Sequence, residues 1–304
     1  MTHSFGVSLA SVTLRPIFAT SINPGPVMIA LVVAVLVLAG AALLYFSRKP
    51  TQPQHHPQHQ PLTRIQPVKA ARPLKVTAAG GTHIGGRSNN EDAYLLKGNL
   101  LVIADGMGGQ AAGEVASKAV VDTFEQIDAG RDTWLADGIL TSNATMRTMA
   151  AADPDLKGFG TTVVAARHTA DEMELGSCGD SHFFRLRGGV LEKLTVEHSL
   201  AMELFKRGNI TEAELATHQF RNVLVRRVGG TNDDPEWDTL KFRMLRGDIY
   251  LICSDGLVDY SQLARVQQLL ESGKSAQEIV DDLLANAVAD DTRDNATAIV
   301  VLVS

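Results

Sequence analysis

Four aspartates in this sequence sit where an apolar run meets a turn. They lie in Arg87-Ser88-Asn89-Asn90-Glu91-Asp92, in Leu101-Val102-Ile103-Ala104-Asp105-Gly106-Met107-Gly108-Gly109, in Leu251-Ile252-Cys253-Ser254-Asp255-Gly256 and in Arg293-Asp294-Asn295. An aspartate that closes a buried strand and is followed by glycine has a rigid backbone behind it and an open turn in front, so its carboxylate is presented at a sheet rim. Taken singly, an Asp-Gly pair after a strand reads more readily as a plain turn. Taken together, carboxylates brought to one place repel one another strongly unless a cation lies between them. The combination predicts hard divalent metals. Oxygen-only ligands suit Mg²⁺ or Mn²⁺, and no Cys/His pair at ligand spacing points to zinc. In this reading Asp105 bridges two cations, with Asp255 and Asp294 on the opposite side. Cations about 3.5–4 Å apart can share a water, lower its pKa and hold both oxygens of an in-line displacement, which suits phosphate-ester hydrolysis. Arg87, in the turn before Asp92, offers the planar fork that matches phosphate oxygens; without the motif around it, a surface loop arginine would be an equal reading.

Positioning such groups requires a sheet-rich domain, and residues 76–304 have the pattern for one. Strands are expected at 76–82, 92–96, 100–105, 160–168, 172–179, 181–187, 190–194, 236–245, 248–254 and 296–303, several joined by hairpin-length gaps. Helical periodicity covers 110–128, 132–152, 198–206, 211–217, 261–271 and 275–289. Hairpins interrupted by helix pairs predict an α+β domain in which helices cover antiparallel sheets.

The first quarter of the chain differs. Residues 1–26 form a short N-terminal segment, and Val27 to Phe46 form an uncharged run of about the 20 residues that cross a bilayer core, predicting a transmembrane helix. A cleaved signal peptide fits less well, because Ser47, Arg48 and Lys49 follow where small residues should stand. These basic residues, with Arg64, Lys69, Arg72 and Lys75, outnumber Arg15 on the other flank and place the C-terminal part in the cytoplasm. Residues 47–75 are rich in Pro, Gln and His and read as a flexible linker; His55, His56 and His59 are taken as part of it. Cys178 and Cys253 lie in apolar runs and read as buried free thiols. A net charge of −6 gives no basic footprint for nucleic acid.

The ordered set RSNNED, ADGMGG, GFGTT, CGDS, CSDGLVD and RDN, with EHSL and HQFRNVLVRRVGG between, resembles the metal-dependent, or type 2C, serine/threonine protein phosphatase family. The form it resembles is the bacterial one, here with an N-terminal membrane anchor. The resemblance implies a four-layer α-β-β-α sandwich, two antiparallel sheets flanked by helices, with two or three Mg²⁺ or Mn²⁺ ions at one end. Asp105 resembles the bridging ligand, the Gly106 carbonyl a second ligand, and Asp255 and Asp294 the remaining direct ligands. Asp92 is similar to the acidic residue that holds metal-bound water, Glu91 to a neighbour acting through waters, and Arg87 to the phosphate clamp. Asp180 and Asp259 match positions that help hold a third metal. Gly160, Thr161 and Thr162 read as a structural strand entry. There are two departures: Met107 stands where many members carry a His proposed as general acid, and His182 where Arg is usual.

The resulting expectation is hydrolysis of phosphoserine and phosphothreonine in proteins, at a membrane, with a membrane-associated kinase or its substrates as partners. The alternatives are a pseudophosphatase that binds without turnover and a phosphatase acting on a small phosphorylated metabolite.

Overall fold

The computed structural model describes residues 73–108, 112–230 and 234–304. The expected anchor at 27–46 and the linker up to residue 72 lie outside the described residues. Among the described residues, no helix is long and apolar enough to cross a membrane.

The described residues form eleven strands, in chain order β1 Val76–His83, β2 Asp92–Lys97, β3 Leu100–Met107, β4 Gly160–Thr161, β5 Val163–Thr169, β6 Glu172–Cys178, β7 His182–Arg187, β8 Val190–Lys193, β9 Asp238–Arg243, β10 Ile249–Cys253 and β11 Ala296–Val303. The helices are α1 Ala112–Gln126, α2 Trp134–Ala152, α3 Leu200–Lys206, α4 Glu212–Leu215, α5 Asp255–Val258, α6 Leu263–Leu270 and α7 Ala276–Ala289, with a 3₁₀ turn at Pro154–Leu156. One sheet runs β1-β11-β10-β7-β8 and the other β2-β3-β5-β6-β9, with β4 paired to β3. All described pairings are antiparallel.

The strand period of two sorts the apolar residues into layers. In β3, Leu101 and Ile103 point between the sheets, where they meet Phe183, Tyr250, Ile252, Ile299 and Val301. Their neighbours Leu100, Val102 and Ala104 face outward onto α1 and α2, against Val120, Phe124, Trp134 and Ile139. In β11, Ala298 and Val300 face the other way, onto α7 through Ile279, Val280 and Leu283. Both faces of the central strands are therefore dry, which is why these strands read as nearly unbroken apolar runs. Each fully buried Val, Leu or Ile contributes roughly 1.5–3 kcal/mol. The result is the expected α-β-β-α sandwich.

Two expectations need correction. The strand at 160–168 is split: the Thr162 N–H donates to the Asp105 carbonyl, leaving β4 to pair with the end of β3 and with Val228. The open turn expected after Asp255 is instead the one-turn helix α5, in which the Asp259 N–H closes on the Asp255 carbonyl. Cys178 and Cys253 are free and buried, and burial pushes the Cys178 thiol up to about 12, so both sulfurs are packing groups.

Candidate active site

The antiparallel registers bring the acidic motifs to one end of the sandwich. Asp92 opens β2 directly opposite Asp105 in β3. In the other sheet, Cys253 at the end of β10 lies opposite both Ala298 near the start of β11 and His182 at the start of β7. Asp255, Asp294 and Asp180 stand just beyond those strand ends. A cleft of about 520 Å³ is lined by Arg87, Glu91, Asp105, Asp180, Asp255 and Asp294, together with Gly106, Met107, Thr162, Asn222 and Leu224.

Glycine makes this convergence possible by allowing close approach. Gly106 lies within β3, not in the turn that its Asp-Gly pairing implied, and a Cβ there would collide with the Gly113 carbonyl of α1. Gly113 in turn lies against the Glu91 carboxylate, whose Cδ would be 2.6 Å from an added Cβ. Gly256, in α5 just beyond β10, plays the same part: an added Cβ would strike the Asn295 carbonyl and come 2.9 Å from Asp294 Cβ.

Two hydroxyls fix Asp92 across the sheets. Ser254 Oγ donates to Asp92 Oδ2 at 2.7 Å and Thr297 Oγ1 donates to the same oxygen at 2.6 Å. Asn295 stitches the loop before β2 to the start of β11: its Oδ1 accepts from the Glu91 N–H, and its Nδ2 donates to the carbonyls of Ile84 and Asn89. Thr162 Oγ1 accepts from the Asp105 N–H and shares a hydrogen bond with Ser181. Sequence reasoning missed Ser254, Thr297 and the role of Asn295. Their only sign was a polar residue beside or within an apolar strand.

Burial dominates the electrostatics. It holds the Asp105 carboxyl well above the ordinary carboxylate range, and Asp92, Asp255, Asp180 and Asp294 push it further. Asp255 is raised in the same way, by burial and then by Asp180, Asp259 and Asp294. Burial takes Asp92 up to about 6 and Asp180 up to about 7. These groups thus sense one another, although no three His, Cys, Asp or Glu side chains among the described residues already close into a metal cage.

Arg87, Asp294 and Asp259 have protein partners. Arg87 Nη2 donates to Asp294 Oδ2 at 2.6 Å, and Asp294 Oδ1 accepts from the Asn295 N–H, so the expected clamp and one expected ligand are held to each other. Asp259 accepts from Arg221 Nη1 at 2.9 Å. His182 is buried beside Phe184, and burial lowers its imidazole to about 4, keeping it neutral.

The residues present fit divalent cations. Asp92 Oδ1 and Asp255 Oδ1 are buried without a hydrogen-bond partner, a costly state for carboxylate oxygens. The anionic groups lining the cleft are all carboxylates, and the buried Cys253 sulfur packs in the core with Leu251 and Val300.

Comparison with known proteins shows the family and agrees with the fold. Residues 79–296 match the protein phosphatase 2C family. The serine/threonine phosphatase stp of Listeria innocua is 32% identical over 226 residues, 71% of this chain and 88% of that protein. The serine/threonine protein phosphatase PstP of Mycobacterium tuberculosis is 35% identical over 204 residues, 64% of this chain and 39% of that protein. A crystal structure of the PstP catalytic domain with two manganese ions superposes with a TM-score of 0.68 at 30% identity, covering 76% of this chain and 99% of that one.

Proposed function

Because this chain belongs to the protein phosphatase 2C family, and is therefore a metal-dependent serine/threonine protein phosphatase, we propose that Asp105, Asp255, Asp92, Asp294 and the Gly106 carbonyl hold Mg²⁺ or Mn²⁺ while Arg87 receives the phosphate. The observation that carries this reading is the pair of unpartnered, buried carboxylate oxygens on Asp92, at the start of β2, and Asp255, just beyond β10 of the other sheet. When bound, the cations supply Lewis-acid polarisation of the phosphate. Arg87, half exposed, presents its guanidinium at the cleft while Asp294 fixes its orientation. Glu91, packed on Gly113, extends the acidic wall. Met107 lines the cleft with a thioether that cannot donate a proton, so no side chain at that position protonates the leaving group. A third cation at Asp180 and Asp259 would compete with Arg221 for Asp259, as one at Asp294 would with Arg87. Hydrolysis of p-nitrophenyl phosphate is expected in Mn²⁺ and absent in excess EDTA; full activity in EDTA would defeat the proposal.

The same proposal includes a membrane location, supported by the uncharged run at 27–46 and the basic residues after it. Tethering would raise the domain's effective concentration near phosphorylated proteins at that membrane, including a membrane-associated kinase or its substrates. The full chain is expected in the carbonate-washed membrane fraction, and a chain lacking residues 1–46 in the supernatant. Recovery of the full chain in the supernatant would rule the anchor out.

A further inference from the structure

A second cavity lies apart from the catalytic cleft. It holds about 510 Å³ between α3, the segment 225–227 and residues 234–236, and shares none of the cleft's lining residues. Leu200, Leu204, Val225 and Pro235 give it apolar walls. Its charged lining is mixed, with Arg207, Arg226 and Arg227 standing among Glu203, Asp234 and Glu236.

The pairing of these charges leaves one over. Glu203 stands 3.8 Å from Lys206 and 3.9 Å from Arg207, and Asp234 stands 3.6 Å from Arg147. Glu236 and Asp238 each lie 3.2 Å from Arg226. Every one of these carboxylates has a cation beside it, whereas Arg227 makes no hydrogen bond or ion pair among the described residues, and its Nε is buried without an acceptor. Arg227 is also held in place. A Cβ at Gly160 would come 2.8 Å from its Cδ, and one at Gly230, whose φ is +76°, would come 2.7 Å from its Nε and 2.9 Å from its Nη2. Ordering a guanidinium between two glycines and leaving it unpaired is unfavourable, and an anion in the cavity would offset that cost. It also spares a ligand the cost of ordering the side chain on binding.

We propose that this cavity binds a small organic carboxylate, with the anionic group on the guanidinium of Arg227 and the apolar body against Leu204, Val225 and Pro235. The planar fork of arginine matches a carboxylate. One negative charge balances the one cation left over, whereas the two charges of a phosphate monoester would add to the carboxylates already at the cavity. The volume lies within the roughly 300–1,000 Å³ of small-molecule sites. Because cavity and cleft have no lining residue in common, such a ligand does not displace substrate.

The test titrates benzoate, and benzamide as its neutral counterpart, into the Mn²⁺-loaded full chain, with binding followed on the ligand by NMR. Benzoate is expected to bind saturably and about tenfold or more tighter than benzamide, the weight of one charge-assisted hydrogen-bonded contact. Arg227→Gln is expected to weaken benzoate by a similar factor while keeping p-nitrophenyl phosphate turnover. Val225→Glu, at a position 45% exposed and so tolerant of a charge, is expected to weaken it as well by placing a like charge on the cavity wall. Absence of saturable binding, equal affinity for benzoate and benzamide, or affinity for benzoate unchanged in both variants would overturn the proposal and leave the phosphatase reading intact.

Discussion

Asp105→Asn is expected to lower Mn²⁺-dependent hydrolysis roughly 10³-fold, in the range seen when a single charge-stabilising group is lost from an active site. The same substitution is expected to raise the melting temperature of the metal-free domain at pH 8. Asp105 is buried opposite Asp92 and close enough to Asp255, Asp180 and Asp294 for each to raise its pKa. In the absence of cations, its negative charge at high pH is a desolvated charge among like charges, and a neutral amide of the same shape removes that cost. A gain on the order of 1–3 kcal/mol corresponds to several degrees in a domain of this size. Activity and stability thus move in opposite directions. Thermal unfolding in EDTA, set beside turnover in Mn²⁺, checks both. A variant that melts lower and still turns over would place Asp105 in the scaffold and not at the centre of the chemistry.

The second large effect is that of pH on the metal-free domain. Burial holds the folded pKa of Asp92 at about 6 and that of Asp180 at about 7, against an ordinary 3.8. For an acid whose folded pKa is raised, the stabilising contribution is full below the unfolded value. It shrinks as pH rises, because the unfolded chain loses its proton first, and it is gone above the folded value. The window here runs from about pH 4 to about pH 7, and for Asp92 alone the change is on the order of 3 kcal/mol. In EDTA the melting temperature is therefore expected to fall between pH 5.5 and pH 8. Cations bind the deprotonated carboxylates, so Mn²⁺ should stabilise little at pH 5.5 and more at pH 8. At a hundredfold excess over its dissociation constant it adds about 2.7 kcal/mol. A melting temperature in EDTA that rises steadily across this interval would mean that the carboxylates are not buried together.

Much of the architecture was legible because both faces of the central strands are covered, leaving apolar runs such as Leu100–Ala104 and Ala296–Val301 that local pattern detects. Asp105, Asp255 and Asp294 stood out by their places at the ends of such runs. What was not legible arises from contacts distant in sequence. Ser254 and Thr297 serve Asp92 from 162 and 205 residues away. Gly106 looked like a turn residue because nothing near it in sequence reveals that the α1 backbone presses on it at Gly113. The pairing of Arg87 with Asp294 and of Arg221 with Asp259 likewise joins separate motifs, and no spacing rule links them. The helix at Asp255–Val258 escaped notice because a single turn has too few residues to show a period.

The central claim is that carboxylates from both sheets share divalent cations at the Asp105 end of the sandwich. Anomalous diffraction from crystals grown with Mn²⁺, recorded at the manganese edge, tests it most directly. Peaks are predicted within ligating distance of the Asp105 and Asp255 carboxylates, and they should vanish in Asp105→Asn crystals grown the same way. A cleft without anomalous density, its carboxylates still facing one another, would contradict the account.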